Sequence, residues 1–290
     1  MCPPPTVSVV IPTHNRARQV VSCVRAVLTQ PYQDLEVLVA DDHSQDDTVP
    51  LLREVEDDRL LVLETDTNSG PSAARNRAVQ VARGDVVFFV DDDVIVDPDW
   101  LENGIRYFDD PAVAGIEGKV VYVDEQYRPR YSDRVVENLA GGLYMTANAA
   151  YRREALIEVG LFDRNLRKYQ DRDIALKVRR LGQVPFAPDV VVRHRAESYT
   201  VRSFMFEAAK IRYWLLLQDL HQERRGYVGP FYEPGKLLGV LLPPLVVIRL
   251  FAKRFTRPLD YLLFLLIWPR LVYERVLIWR WAVSKRRLII

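Results

Sequence analysis

The run Val7-Ser8-Val9-Val10-Ile11, continuing into Pro12-Thr13-His14-Asn15-Arg16, sets the fold class. Four of its first five residues are β-branched and apolar, which predicts a strand. The absence of polar alternation predicts burial on both faces, as in the middle of a parallel sheet. The same pattern recurs three times. Leu35–Ala40 precedes Asp41-Asp42-His43-Ser44, Leu60–Leu63 precedes the loop Asn68-Ser69-Gly70-Pro71, and Val86–Val90 precedes Asp91-Asp92-Asp93. Between these runs, Arg18–Leu28, Thr48–Val55 and Ser72–Val81 space apolar residues at helical intervals, with Thr48 and Ser72 as expected N-caps. Strand–helix alternation of this kind predicts an α/β fold, an open and mostly parallel sheet flanked by helices, with ligands at the carboxyl ends of its strands. The polar clusters fall at those ends.

Further along, Val113–Val123 reads as a strand, Gly141–Tyr151 as a loop and strand, and Arg153–Val159 as a helix. Asp171–Leu181 is an expected helix stopped by Gly182, and Val190–Val192 a last strand ending at Arg193-His194. Beyond residue 200 the strands stop. Val201–Leu220 reads as one long aromatic-rich helix, Leu237–Ile248 as a charge-free run of 12 residues broken by Pro243-Pro244, and Tyr261–Trp268 as a second apolar run of 8. Neither run reaches the ~20 residues needed to cross a bilayer as a helix.

Composition fits a globular protein: 290 residues, 49% hydrophobic and 27% charged. The formal charge of +1 hides a split. Residues 1–194 hold 23 Lys and Arg against 32 Asp and Glu, whereas residues 195–290 hold 17 against 7. An acidic body and a basic tail are thus expected to do different jobs, and the division is placed at 1–198 and 199–290. Cys2 and Cys23 make neither a disulfide framework nor a metal motif, which predicts a reducing compartment. Met1–Pro5 has neither the basic start nor the apolar stretch of a secretory signal. Neither G-x-G-x-x-G nor G-x-x-x-x-G-K-[ST] occurs in the strand-end loops, which argues against a dehydrogenase or a P-loop ATPase.

Asp91 and Asp93, at positions i and i+2 after a buried strand, share a face in extended backbone and can converge on one divalent cation. Oxygen ligands of this kind favour Mg²⁺ or Mn²⁺. The bland alternative is a solvated turn, with Asp97-Pro98-Asp99 capping the next helix.

The strings VSVVIPTHNR (7–16), EVLVADDHSQDDT (36–48), NSGPSAARNRA (68–78) and GDVVFFVDDD (84–93) together resemble glycosyltransferase family 2 on a GT-A fold, over about residues 6–195. The resemblance implies an inverting transfer of a sugar from a UDP-, GDP- or dTDP-sugar. It implies Pro12, Thr13, Asn15, Arg16, Asp41, Asp42, Gly70, Arg75 and Asp92 as the nucleotide set, and Asp91 and Asp93 as metal ligands for Mn²⁺ or Mg²⁺. Family members place the catalytic base in Glu-Asp-x-Asp after Gly-x-Phe-Asp. Here Gly160-Leu161-Phe162-Asp163 and Gln170-Asp171-Arg172-Asp173 match it, with Asp171 as the base and Gln170 in place of the usual Glu. The ordinary role for Asp171 would be a helix N-cap. His194, in His194-Arg195-Ala196-Glu197-Ser198, matches a metal-binding histidine of many relatives, and an imidazole suits Mn²⁺ better than Mg²⁺. His14 and His43 are given no chemistry.

Leu277 stands where processive synthases of the family carry the Gln of Gln-x-x-Arg-Trp ahead of Arg280-Trp281, so single-sugar or short-chain transfer is expected rather than processive synthesis. The tail combines short apolar runs, Trp214, Trp268, Trp279 and Trp281, and basic residues every few positions. This predicts a helical extension lying on the inner face of the cell membrane. Packing within the protein or a homo-oligomer interface is the competing use. On a membrane the acceptor would be a glycan or polyprenyl-linked saccharide, and no nucleic acid partner is expected. The alternative function is a catalytically silent nucleotide-sugar-binding or scaffold protein tethered to the membrane.

Overall fold

A computed structural model describes residues 6–124, 126–134, 136–221 and 255–284. The apolar run Leu237–Ile248 lies outside the described residues. The chain forms two compact units, residues 1–125 with 136–195, and residues 126–135 with 196–290.

The first unit is built on an eight-stranded sheet. Its strands are β1 (Val7–Thr13), β2 (Leu35–Asp41), β3 (Leu60–Glu64), β4 (Val86–Val90), β5 (Val94–Val96), β6 (Gly115–Tyr122), β8 (Asn148–Arg152) and β9 (Phe186–His194). The short β7 (Asp133–Arg134) belongs to the second unit. The sheet order is β3-β2-β1-β4-β8-β6-β9-β5. The pairs β1–β2, β2–β3, β1–β4 and β6–β9 are parallel; β4–β8, β6–β8 and β5–β9 are antiparallel.

Burial on both faces follows from alternate side chains. Val7, Val9 and Ile11 of β1 with Phe88 of β4 enter one core cluster, and Val10 with Val87 and Phe89 enter a second. Helix α1 (Ala17–Leu28) covers the first face with Val20, Cys23, Val24, Val27 and Leu28, a stripe at helical spacing. Helices α2 (Thr48–Arg53) and α4 (Trp100–Arg106) add Leu52, Trp100 and Leu101 to the same cluster. Helices α3 (Pro71–Val81), α5 (Arg153–Glu158) and α6 (Gln170–Val178) cover the second face.

Two expected caps are corrected. Thr48 and Ser72 lie inside their helices, whose N-caps are Asp47 and Gly70. Pro71 at the first position of α3 explains the shift, since its fixed φ and missing N–H suit a helix start. Helix α6 ends at Val178 rather than Leu181, with Arg179 as its C-cap. Gly182 serves close packing instead, because a Cβ there would lie 2.8 Å from the Ala112 carbonyl oxygen.

The β6–β9 register shifts between Gly118 and Lys119, so that Gly118 pairs with Ala187 but Lys119 with Val191. Asn148, 1% exposed, fills the gap. Its Nδ2 donates to the carbonyls of Lys119 (2.9 Å) and Val190 (2.8 Å), and its Oδ1 accepts from Trp100 Nε1 (2.9 Å). Residue 118 must be glycine because a Cβ would sit 2.3 Å from Asn148 Nδ2.

The second unit contains β7, β10 (Glu197–Ser198), α7 (Val201–Ala209), α8 (Ile211–His221), α9 (Pro258–Leu265) and α10 (Ile267–Ser284). The single helix expected over Val201–Leu220 is two: the backbone tightens at Lys210, whose N–H bonds Glu207 and whose carbonyl accepts from Tyr213. Thr200 and Ser203 form a capping box at the start of α7. Tyr131, Phe204 and Leu263 form a small core, with Phe255 stacked on Tyr131 at 5.2 Å. The buried Asp260 accepts from the backbone N–H groups of Ser132, Thr256 and Arg257 at 2.8–2.9 Å. Burial opposes its ionisation, but those hydrogen bonds prevail and bring its pKa down to about 2. Nothing in the composition of residues 126–135 signals that this segment groups with the C-terminal helices.

Asn148→Ala strands two carbonyls and an indole N–H in the core, a loss of roughly 2–4 kcal/mol. Urea denaturation is expected to show that loss with an unchanged m-value. A variant within about 0.5 kcal/mol of wild type would show that the register shift is held by other groups.

Candidate active site

Strand direction places the acids. Crossing β4–β8–β6 reverses the chain twice, so β9 runs parallel to β4 and both end at the same edge of the sheet as β1 and β2. Strand β5 then returns beside β9 with Val94 opposite His194, which sets Asp93 next to that imidazole. One ligand atom from each of Asp91, Asp93 and His194 lies within 4.8 Å of the others. Asp91–Asp93 form a turn between β4 and β5, not the extended backbone expected, and convergence comes from that turn.

His194 Nδ1 lies 2.6 Å from the Arg195 carbonyl, which can only accept, so Nδ1 carries the hydrogen and Nε2 faces the acids. Nε2 is 3.3 Å from Asp93 Oδ1. Burial pushes the His194 pKa down, but the hydrogen bond and charge of Asp93 prevail and raise it. Asp93 shows the complement: burial opposes its charge, and His194 with Arg16 holds it well below the usual carboxylate range. Two carboxylate oxygens and an imidazole nitrogen form a donor set suited to Mn²⁺, with Mg²⁺ accommodated by the carboxylates.

Asp92 turns away from this group. It accepts from the Thr13 hydroxyl (2.7 Å) and from Arg16 (3.3 Å), and burial lifts its pKa to about 6. Of the expected nucleotide set, Thr13, Arg16 and Asp92 are therefore brought together. Asp41 and Asp42 are 2% and 5% exposed. Asp41 accepts from Ser44, and Asp42 accepts from the N–H groups of Ser69 (2.7 Å) and Gly70 (2.8 Å). These acids shape the floor of the loops. Pro12 is the last residue but one of β1, and Asn15, at φ 53°, receives the Gln45 N–H on its side-chain oxygen (2.7 Å). Gly70 has φ 87°, a left-handed conformation natural to glycine.

Arg75 is 5% exposed on α3. Its Nη2 donates to Asp91 (3.0 Å) and its guanidinium lies 5.9 Å from the Phe162 ring centroid. Its Nε and Nη1 are buried without a hydrogen-bond partner among the described residues. Such groups are rare in folded proteins. The neighbouring Asn76 pairs through both amide atoms with the backbone of Phe162 (2.8 and 2.9 Å), tying α3 to the loop before α6. Sequence reasoning missed this residue, although it sits next to Arg75 in NSGPSAARNRA.

Asp171 occupies the first turn of α6, whose N-cap is Tyr169 with no side-chain cap bond. Asp171 is thus not the cap; its Oδ1 accepts from the adjacent Arg172 N–H (2.9 Å). Tyr169 is left-handed at φ 63°, a strained start of a kind that clusters at functional sites. Gln170, with its amide nitrogen turned towards Leu166 O (3.0 Å) and Arg167 O (3.3 Å), closes the preceding loop, which a carboxylate could not do. Burial raises the Asp171 pKa, aided by Asp91 and countered by Arg172 N–H and Arg75. A cleft of about 400 Å³ opens beside Asp93, bounded by Arg18, Ser22, Ile95 and Arg195.

The family model of glycosyl transferase family 2 matches residues 8–160. The glycosyltransferase AglE of Haloferax volcanii is 28% identical over 228 residues, 73% of this chain and 75% of that protein. The glucosyl-dolichyl phosphate glucuronosyltransferase of the same organism is 28% identical over 185 residues, 58% of this chain and 59% of that protein. Among solved structures, the mannosyltransferase PcManGT of Pyrobaculum calidifontis, in complex with GDP-Man and Mn²⁺, superposes with a TM-score of 0.62 at 23% identity, covering 94% of this chain and 86% of that one. The sheet and its helices are accordingly a GT-A fold.

A carboxyl whose pKa is raised on folding holds its proton more tightly folded than unfolded, so its ionisation erodes stability as pH climbs from the unfolded value near ~3.9. Without metal or donor, Asp171→Asn is expected to melt above wild type at about pH 8 and to lose that advantage below about pH 4. Thermal denaturation across pH reads this directly, and a variant no more stable than wild type at the higher pH would contradict it.

Proposed function

The chain belongs to glycosyl transferase family 2 and is a glycosyltransferase, and on that premise we propose that it moves one sugar, with inversion, from a nucleoside diphosphate sugar to a hydroxyl of a glycan or lipid-linked acceptor. The observation that carries this reading is the meeting of Asp91, Asp93 and His194 at the strand edge that also bears Arg75 and Asp171. Asp91, Asp93 and His194 would hold Mn²⁺ or Mg²⁺, and the ion would neutralise charge growing on the leaving diphosphate. The Mn²⁺ in PcManGT supports that assignment.

In this mechanism, Thr13, Arg16, Asp41, Asp42 and the Gly70 loop frame the nucleotide, with Asp92 holding Thr13 and Arg16 in place. Arg75, held against Asp91, places a fixed positive charge near the diphosphate, where a guanidinium in a dry setting stabilises a developing anion strongly. Asp171 accepts the proton of the acceptor hydroxyl as that oxygen attacks the anomeric carbon from the face opposite the diphosphate. The diphosphate departs with the bonding electron pair. A carboxyl lifted above its usual range is the stronger base, which suits the proton it must take. The lipid-linked acceptor and a site of action at the cytoplasmic membrane face are supported by the dolichyl phosphate in the name of one relative and by the basic tail.

Asp171→Asn is expected to lower turnover roughly 10³-fold while the donor dissociation constant stays within about threefold, read by single-turnover transfer and calorimetry. Wild-type turnover in that variant would remove Asp171 from the mechanism. Chelation by EDTA is expected to abolish transfer and added Mn²⁺ to restore it. His194→Ala should raise the Mn²⁺ concentration for half-maximal rate by at least roughly tenfold, since even partners outside the ligand set are worth that much. Undiminished transfer in EDTA would sink the metal assignment.

A further inference from the structure

Helices α9 and α10 leave a large apolar surface exposed. Tyr261, Leu262 and Leu265 of α9 are 57%, 46% and 71% exposed, and Trp268, Val276 and Trp279 of α10 are 47%, 41% and 50% exposed. The side turned inward carries Leu263, Leu271 and Ile278 and, among them, Asp260, Glu274 and Arg275, each under 9% exposed. Those polar groups have partners inside the unit: backbone N–H groups for Asp260, Arg270 for Glu274, and the Trp279 ring for Arg275. On α10 the exposed apolar residues Trp268, Tyr273, Val276 and Trp279 follow one another at steps of five, three and three residues, close to the helical repeat, and Tyr261, Leu262 and Leu265 lie on α9. Water does not favour such a stripe, and a face this apolar marks a contact with something else.

From this stripe we propose that Tyr261, Leu262, Leu265, Trp268, Val276 and Trp279 form the surface on which the protein lies against an anionic membrane. The inference rests on the membrane location within the proposed function and assigns the residues that carry it. Three observations choose the occupant. Tryptophan and tyrosine are the side chains that settle at the boundary between headgroups and acyl chains. Exposed Arg257 and Arg280 stand at the two ends of the stripe, in a C-terminal stretch with 17 Lys and Arg against 7 Asp and Glu, which matches anionic headgroups. A second copy meeting the first through this face would instead bring like charges together. No helix among the described residues is long and apolar enough to cross a membrane, so the stripe lies along the surface.

The test uses the full chain with vesicles of phosphatidylcholine alone or mixed with phosphatidylglycerol. Wild type is expected to float with the anionic vesicles, more weakly at high salt, and its tryptophan emission to be quenched by acyl-brominated lipid. The Leu265→Glu/Trp268→Glu variant is expected to lose vesicle affinity by at least about tenfold, with metal-dependent hydrolysis of nucleotide sugar unchanged. Equal flotation of variant and wild type would overturn the stripe while leaving the membrane location standing. Wild type that ignores both vesicle types would overturn both, and if it also runs as a dimer that the variant breaks, the face belongs to a second copy. Loss of hydrolysis in wild type would count against the enzymatic reading and leave the flotation result to judge the stripe.

Discussion

The candidate site depends on one pairing, the antiparallel return of β5 along β9. Asp93 and His194 are some hundred residues apart, and no local propensity brings them together. Two reversals across β4–β8–β6 give β9 the direction of β4, and the register Val94 to His194 then fixes the imidazole beside the acids. That register is sensitive to the shift one turn earlier, where Lys119 faces Val191. Asn148 bridges the carbonyls of Lys119 and Val190 at the shift and ties them to Trp100. A buried amide with its bonds satisfied specifies one register, whereas an apolar side chain there would tolerate several.

The charges at this edge divide into saturated and unsaturated groups. Asp41, Asp42 and Asp92 accept from hydroxyls, backbone N–H groups and Arg16, bonds that tie the strand-end loops together. Arg75 is 5% exposed and keeps two nitrogens without partners among the described residues. An unmet buried donor costs about 1–3 kcal/mol. The left-handed Tyr169 ahead of Asp171 stores strain in the same neighbourhood.

Much of the first unit was legible because strands buried on both faces leave an unmistakable run such as Val7–Ile11, and the clusters after them fall at one edge by topology alone. Helix ends were less legible, since Thr48 and Ser72 satisfy cap statistics while Pro71 and the loop geometry decide the start. Strand β8, expected within the loop and strand Gly141–Tyr151, reads Asn-Ala-Ala-Tyr-Arg without the β-branched signal, and its pairing with neighbours on both sides sets its bounds. The pairing of Asn76 with Phe162 and the grouping of residues 126–135 with the C-terminal helices are long-range facts with no local signature. Positive φ at Leu161 and Tyr169 was invisible for the same reason, as neither residue advertises it.

Amphipathic periodicity itself is ambiguous about direction. In α1 the apolar stripe is the buried one, and in α9 and α10 much of the apolar surface is the exposed one, yet both read as periodic apolar sequence. Charge separates the two cases. An apolar face turned outward in an acidic neighbourhood would meet an anionic surface against electrostatic repulsion. The same face within a stretch of 17 basic and 7 acidic residues gains from both terms at once. The near-neutral total of +1 is therefore the sum of two unlike stretches, an acidic one that gathers carboxylates at a sheet edge and a basic one that leaves several large apolar residues exposed beside a buried core of its own.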